Sequence, residues 1–164
     1  MPDNAPVNST GTSVMPKIQA FMAGDHRRCD DIFNAIEQAV EAGAWERASA
    51  AFARFEHALL QHFAAEEAVL FPAFEAKTGM TMGPTQVMRG EHAQMRELLA
   101  AAREGLQAQD GDDYSGNAET LLIMMQQHNA KEENVLYPMC DQFLAAQLGD
   151  LLPELESLMQ STTA

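Results

Sequence analysis

Apolar residues recur at intervals of three and four along most of the chain, the spacing that turns one face of an α-helix towards a core. The first stripe runs Ile18, Met22, His26, Cys29, Phe33, Ile36 and Val40. The second runs Ala48, Phe52, Phe55, Leu59, His62, Glu66, Val69 and Ala73. Met88, His92, Met95, Leu99, Ala102 and Leu106 form the third, and Leu121, Met125, His128, Glu132, Val135 and Met139 the fourth. These stripes predict helices over about residues 16–42, 45–77, 85–108 and 118–148. Gly43 breaks the first, a Gly/Met/Pro connection over 78–84 follows the second, and Asp, Gly and Ser over 109–117 read as a loop. Pro72 and Pro138 fall late in helical patterns, where each removes a backbone donor and should kink or end its helix. A short tail helix is expected after Pro153.

The chain repeats itself. Shifted by 66 residues, QHFAAEEAVLFP (61–72) lies over QHNAKEENVLYP (127–138) with eight identities in twelve positions. Under the same shift Gly24-Asp25-His26 lies over Gly90-Glu91-His92, with no gap between the two blocks. Two related αα-hairpins follow from this, and they close as an up-down-up-down four-helix bundle. The expected organisation is an all-α fold: a flexible segment over 1–15, rich in Pro, Asn, Ser, Thr and Gly, the bundle over 16–148, and a tail over 149–164.

Six polar residues interrupt the apolar stripes: His26, His62, Glu66, His92, His128 and Glu132. His62/Glu66 and His128/Glu132 are i,i+4 pairs, about 40° apart around a helix, so both members can reach one ion, or one carboxylate can bridge two. A lone pair of this kind is ordinary on a surface. On a buried stripe an unpaired carboxylate costs several kcal/mol, and imidazole also needs partners. Six such residues, symmetric and able to meet at one level of a bundle, point to bound cations. Imidazole and carboxylate without thiolate suit iron, manganese or zinc, and are too rich in nitrogen for calcium or magnesium. Two ions, each held by two histidines and bridged by both glutamates, use all six. The Glu-x-x-His pairs of ferritin-like bundles are absent, since Ala23, Arg54, Leu59, Arg89 and Met125 stand three before the histidines. HExxH is also absent, which removes the zinc-protease reading.

Charge and composition narrow the partners. With 24 acidic against 10 basic side chains, the net charge of −14 disfavours nucleic acid and anionic membrane surfaces. No apolar run approaches membrane-spanning length, residues 1–15 lack the features of a signal peptide, and two cysteines form no CxxC pair. A soluble cytoplasmic protein is the expectation.

The motifs GDHRR, QHFAAEEAVLFP, GEHAQM and QHNAKEENVLYP resemble the hemerythrin-like, or HHE cation-binding, domain over about residues 18–145. That resemblance implies a non-haem di-iron centre with an oxo or hydroxo bridge, His26, His62, His92 and His128 as iron ligands, and Glu66 and Glu132 as bridges. Oxygen-carrying members have a fifth histidine one turn after the third-helix ligand. Here Arg96 stands in that place, and its repeat counterpart is Asp30, a candidate for the vacant position or a solvated group. The leading expectation is a protein that binds or senses O2 or NO. A di-iron oxidase, peroxidase or NO reductase, an iron-handling or regulatory module, and a bundle with adventitious zinc are the alternatives, with any redox donor or protein partner unspecified. Asp25, Glu67, Glu91 and Glu133 read as partners of ligand imidazoles or as solvated charges. His57, whose counterpart is Ile123, reads as a rim histidine, and Phe63, Phe71 and Tyr137 as core or pocket lining.

Overall fold

Each predicted stripe lies on a helix. The computed structural model describes residues 17–160, so the expected flexible segment over 1–15 lies outside the described residues. Helix α1 spans Ile18–Glu41 and α2 Trp45–Ala65. A π-helical turn, Glu66–Leu70, then leads into α3, Phe71–Thr78. The second half repeats this order with α4 (Pro84–Gln107), α5 (Gly111–Lys131), a π turn (Glu132–Leu136) and α6 (Tyr137–Phe143). A 3-10 turn, Ala145–Gln147, precedes α7, Leu148–Met159. No described residue is in a strand, and no helix among the described residues is long and apolar enough to cross a membrane.

Packing follows the repeat. Helix α1 lies chiefly against α2, and α4 against α5, giving two αα-hairpins that face each other as a four-helix bundle. Turns at the helix ends are short. Gly79 (φ 73°) takes the left-handed conformation after α3, where a side chain would be strained. The amide groups of Ile18 and Gln19, which have no partner within their own first turn, donate to the Asp141 carboxylate of α6 at 2.7 and 3.2 Å. The start of the first helix is therefore tied to the end of the last bundle element.

Three boundaries differ from the expectation. The loop predicted over 109–117 is confined to its first residues, because Asp110 accepts a hydrogen bond from Asp113 N–H (3.0 Å) and caps a helix beginning at Gly111. Turn-forming composition there is the signature of an N-cap and acidic first turn, not of a long loop. Pro72 and Pro138 neither end nor simply kink their helices. Each is the second residue of a new α-helical segment just after a π turn, so its missing N–H falls at a change of register. The tail helix begins before Pro153, not after it, and tolerates that exposed proline within its length.

The π turns also change which residues face inwards. Beyond Glu132 the predicted stripe continues to Val135, which is 53% exposed, and Met139, which is half-buried. Leu136, Tyr137 and Cys140 are buried instead, as are Leu70, Phe71 and Phe74 in the first half. Two apolar clusters result. One contains Phe33, Ile36, Phe52, Phe55, Leu99, Tyr114 and Leu121. The other contains Met22, Phe71, Phe74, Leu136 and Tyr137, and is closed by Leu148, Leu151, Leu155 and Met159 of α7. The six polar stripe residues fall between these clusters along all four helices.

At Gly105, α4 and α5 approach so closely that a β-carbon would lie 2.7 Å from Tyr114 N and 3.0 Å from its Cα. Backbone atoms cannot yield as a side-chain tip can, so Gly105→Ala should destabilise the fold by about 1–3 kcal/mol through overpacking. Urea unfolding of the purified variant, read as a lower midpoint at unchanged slope, checks this.

Candidate metal centre

The six residues singled out by the sequence converge. His26, His62, Glu66, His92, His128 and Glu132 are all buried, the two glutamates completely. His26 Nε2 and His62 Nε2 stand 3.1 Å apart, and His92 Nε2 and His128 Nε2 stand 3.2 Å apart. The two carboxylates lie across both pairs. Glu66 Oε2 is 3.5 Å from His62 Nε2 and 3.2 Å from His92 Nε2. Glu132 Oε1 is 3.0 Å from His128 Nε2, while its Oε2 is 3.2 Å from His26 Nε2. Donor atoms of Glu66, His92, His128 and Glu132 fall within 4.8 Å of one another, as do those of His26, His62 and Glu132. The sequence repeat has become a near-symmetric cluster of two imidazole pairs spanned by two carboxylates.

The outer ring nitrogen of each of these four histidines has a carboxylate of its own. His26 Nδ1 meets Glu133 Oε1 at 2.7 Å, and His62 Nδ1 meets Asp25 Oδ2 at 2.8 Å. His92 Nδ1 meets Glu67 Oε1 and His128 Nδ1 meets Glu91 Oε2, both at 2.8 Å. A carboxylate accepts, so each Nδ1 carries the proton, and a neutral ring then aims its Nε2 lone pair inwards. Four such lone pairs and the glutamate oxygens converge on one small volume. Glu66 Oε2 and Glu132 Oε1 have no hydrogen-bond partner although fully buried. Buried acceptors left without a donor are what cations satisfy, and the carboxylate–imidazole pairing is the usual way a protein orients a metal-binding ring. The donor set fits a pair of borderline metal ions such as iron.

Electrostatics agree with the geometry. Burial on its own lowers a histidine's affinity for a proton, yet the Glu66 charge and the Asp25 hydrogen bond push His62 up to about 10. Burial likewise opposes ionisation of Glu66, but His62 and His92 hold its carboxyl well below the usual range. Protons on imidazole thus supply the positive charge the site demands when no metal does. The surrounding carboxylates are partly neutralised by cations. Arg28 pairs with Asp25 (2.6 Å) and Lys131 with Glu91. Arg96, which stands where a fifth histidine would be, makes a two-pronged bond to Glu67 at 2.9 and 3.0 Å and lies over the Phe63 ring. Arg96 therefore supports His92 through Glu67.

Tyr137 is the residue of this centre that stripe reasoning placed only as core or pocket lining. Its hydroxyl lies 2.6 Å from Glu66 Oε1, 2.8 Å from Glu132 Oε2, 3.2 Å from His26 Nε2 and 3.4 Å from His62 Nε2. On an α-helix Tyr137 would sit about 140° around from Glu132. The π turn, whose bond runs from Tyr137 N–H to the Glu132 carbonyl, brings residues five apart onto one face. Burial and the two carboxylates hold the phenol well above its usual pKa. The repeat counterpart, Phe71, stacks near His92 at 5.8 Å between ring centroids, and Phe63 stacks on the same imidazole at 4.0 Å.

Other candidates stand outside. Neither group of mutually close donor atoms includes Asp30, Glu67 or Glu133. Asp30 is half-buried, and burial raises its carboxyl pKa. His57 is exposed, on the wall of a surface cavity of about 540 Å³ that Asp25 and Arg28 also line. Cys29 and Cys140 are buried free thiols, each pushed up to about 12 first by desolvation, and behave as small apolar residues.

The fold and this cluster define a helical-bundle protein built to bind metal cations. Residues 17–140 match the family model for the hemerythrin HHE cation binding domain. The chain belongs to that family, as its motifs had suggested. No curated protein and no solved structure matches the chain.

Replacing a carboxylate that orients a ligand imidazole costs about 10–100-fold in metal affinity. Asp25→Asn, which keeps the shape but removes the charge on His62 Nδ1, should weaken metal binding by that factor while the far-ultraviolet dichroism stays helical. Competition with a chelator of known affinity measures it.

Proposed function

We propose that this is a non-haem di-iron protein that binds or senses a diatomic ligand, O2 or NO, at an iron pair bridged by Glu66 and Glu132. The observation that carries the reading is the convergence of four inward-facing Nε2 atoms and two fully buried carboxylates, two of whose oxygens lack hydrogen-bond partners. His26 and His62 would hold one ion and His92 and His128 the other, with Glu132 within reach of both and Glu66 Oε2 standing 3.2 Å from His92 and 3.5 Å from His62. When bound, the iron pair supplies electrons and open coordination positions to a diatomic ligand.

The chain's own contribution is to orient, exclude water and limit access. The four carboxylates on Nδ1 fix each imidazole in one tautomer and leave its Nε2 free to bind. Phe63 and Phe71 cover the His92 ring, and the two apolar clusters close the polar layer from either side. A small uncharged molecule can enter such a lining at little cost, whereas an ion or a large substrate loses its hydration without replacement. That selectivity favours a binding or sensing role for a gas. The net charge of −14 disfavours nucleic acid as a partner, and free thiols at Cys29 and Cys140 suit a reducing cytoplasm.

Anaerobic reduction of the iron-loaded protein, followed by stoichiometric O2 or NO under visible spectroscopy, tests the proposal. A stable adduct that is lost on removing the gas is expected. Immediate irreversible oxidation with turnover of added peroxide or reductant would contradict it in favour of a redox enzyme.

A further inference from the structure

At one pair of repeat counterparts the two halves of the centre differ by a single oxygen atom. Phe71 and Tyr137 are repeat counterparts, each following a π turn that starts at a bridging glutamate, and each ring lies against a histidine: Phe71 at 5.8 Å from His92 and Tyr137 at 5.7 Å from His26. The placement is shared, so the tyrosine hydroxyl is an addition to one half of a symmetric scaffold. It lies where the repeat would otherwise put a ring edge, in contact with four of the atoms that define the centre.

Two of those contacts are hydrogen bonds to carboxylates, and the two to imidazole nitrogen are close to the edge lengths of a coordination polyhedron. Metal bonds to nitrogen and oxygen are about 2.0–2.2 Å, so neighbouring donors at right angles around one ion stand about 3 Å apart. The phenol oxygen is 3.2 and 3.4 Å from His26 and His62 Nε2, and 2.6 and 2.8 Å from one oxygen each of Glu66 and Glu132. His26 Nε2 is in turn 3.1 Å from His62 Nε2 and 3.2 Å from Glu132 Oε2. Two nitrogens, a Glu132 oxygen and the phenol oxygen therefore face one position, with Glu66 Oε1 hydrogen-bonded to the phenol. Such spacing is more than a phenol needs as a hydrogen-bond donor, since its one proton serves one acceptor. Around His92 and His128 the corresponding wall is the Phe71 and Phe63 rings.

The neighbouring charges are unequal in the same sense. Glu67, behind His92, is neutralised by Arg96, whereas the equivalent position beside Glu133, behind His26, carries Asp30. The His26/His62 side is the more anionic and the richer in oxygen.

We propose that Tyr137 is a fifth protein ligand to the ion held by His26 and His62, making the two metal positions chemically distinct. The inference rests on the di-iron reading above. On binding, the phenol O–H bond breaks, an oxygen–iron bond forms, and the proton passes to the buffer, as happens generally when metals displace protons from ligands. The His26/His62 position then has one open place fewer, and exogenous ligands bind at the His92/His128 position, against the aromatic wall.

The chain has two tyrosines, and Tyr114 is engaged with Glu37 (2.9 Å) in the apolar cluster away from the centre, so a phenolate signal is diagnostic. The test is resonance Raman spectroscopy of the ferric, full-length protein, grown with and without ring-deuterated tyrosine, alongside iron quantification. A visible phenolate-to-iron charge-transfer band is expected, with enhanced ring modes that shift on deuteration. In Tyr137→Phe the band per bound iron should vanish; the labelled wild-type protein decides the matter if that variant does not fold. Iron bound without phenolate modes, or a band that survives Tyr137→Phe, overturns the ligand assignment while leaving the di-iron reading in place. Absence of bound iron overturns both.

Discussion

The rest of this molecule depends on one electrostatic demand: a buried space onto which four imidazoles and two carboxylates converge. Two carboxylates with no exposure and four imidazoles held from outside by further carboxylates do not stay together in an apolar bundle unless positive charge lies among them. Breaking such a set by leaving one charge uncompensated costs more than most core substitutions. Protonated imidazole meets the demand in part, which is why His62 holds its proton so far above the usual range. Metal ions meet it at every atom. Family membership agrees, since the matched domain is a cation-binding one.

The fold serves that demand by duplication. One hairpin supplies a lone histidine, an i,i+4 His–Glu pair and a π turn, and a second hairpin supplies the same set 66 residues later. Facing the hairpins brings each glutamate to its own histidine and to one from the other half. The outer carboxylates cross between elements in the same way: Glu67 reaches His92 and Glu133 reaches His26. Bundle closure and site closure are thus one event. Residues that look like surface charge, Arg96 and Lys131 among them, anchor carboxylates that also hold a buried ring.

Much of this was legible in the sequence because it rests on α-helical periodicity and on the repeat. The stripes located the helices, the polar interruptions located the cluster, and the shift of 66 residues paired its halves. What periodicity could not reveal lies past the π turns. There the stripe slips, so Val135 turns out to solvent and Tyr137 turns into the centre. The repeated Glu-Glu followed by an aromatic residue and proline is the trace such a turn leaves in a sequence. Partner choice was also hidden: Asp25, Glu67, Glu91 and Glu133 were visible as symmetric acids, but their bonds cross between helices, and single-helix spacing carries no information on such contacts. The loop read over 109–117 failed for a local reason, because the residues that favour turns are the ones that cap helices.

Anomalous diffraction at the iron edge, on crystals of iron-loaded protein, tests whether the buried imidazoles and carboxylates hold a pair of irons. Two iron peaks are expected inside the bundle, one against His26 and His62 and one against His92 and His128, with Glu66 and Glu132 touching both. A single peak, or iron bound only at surface carboxylates with the buried histidines paired to each other or to water, would contradict a buried iron pair.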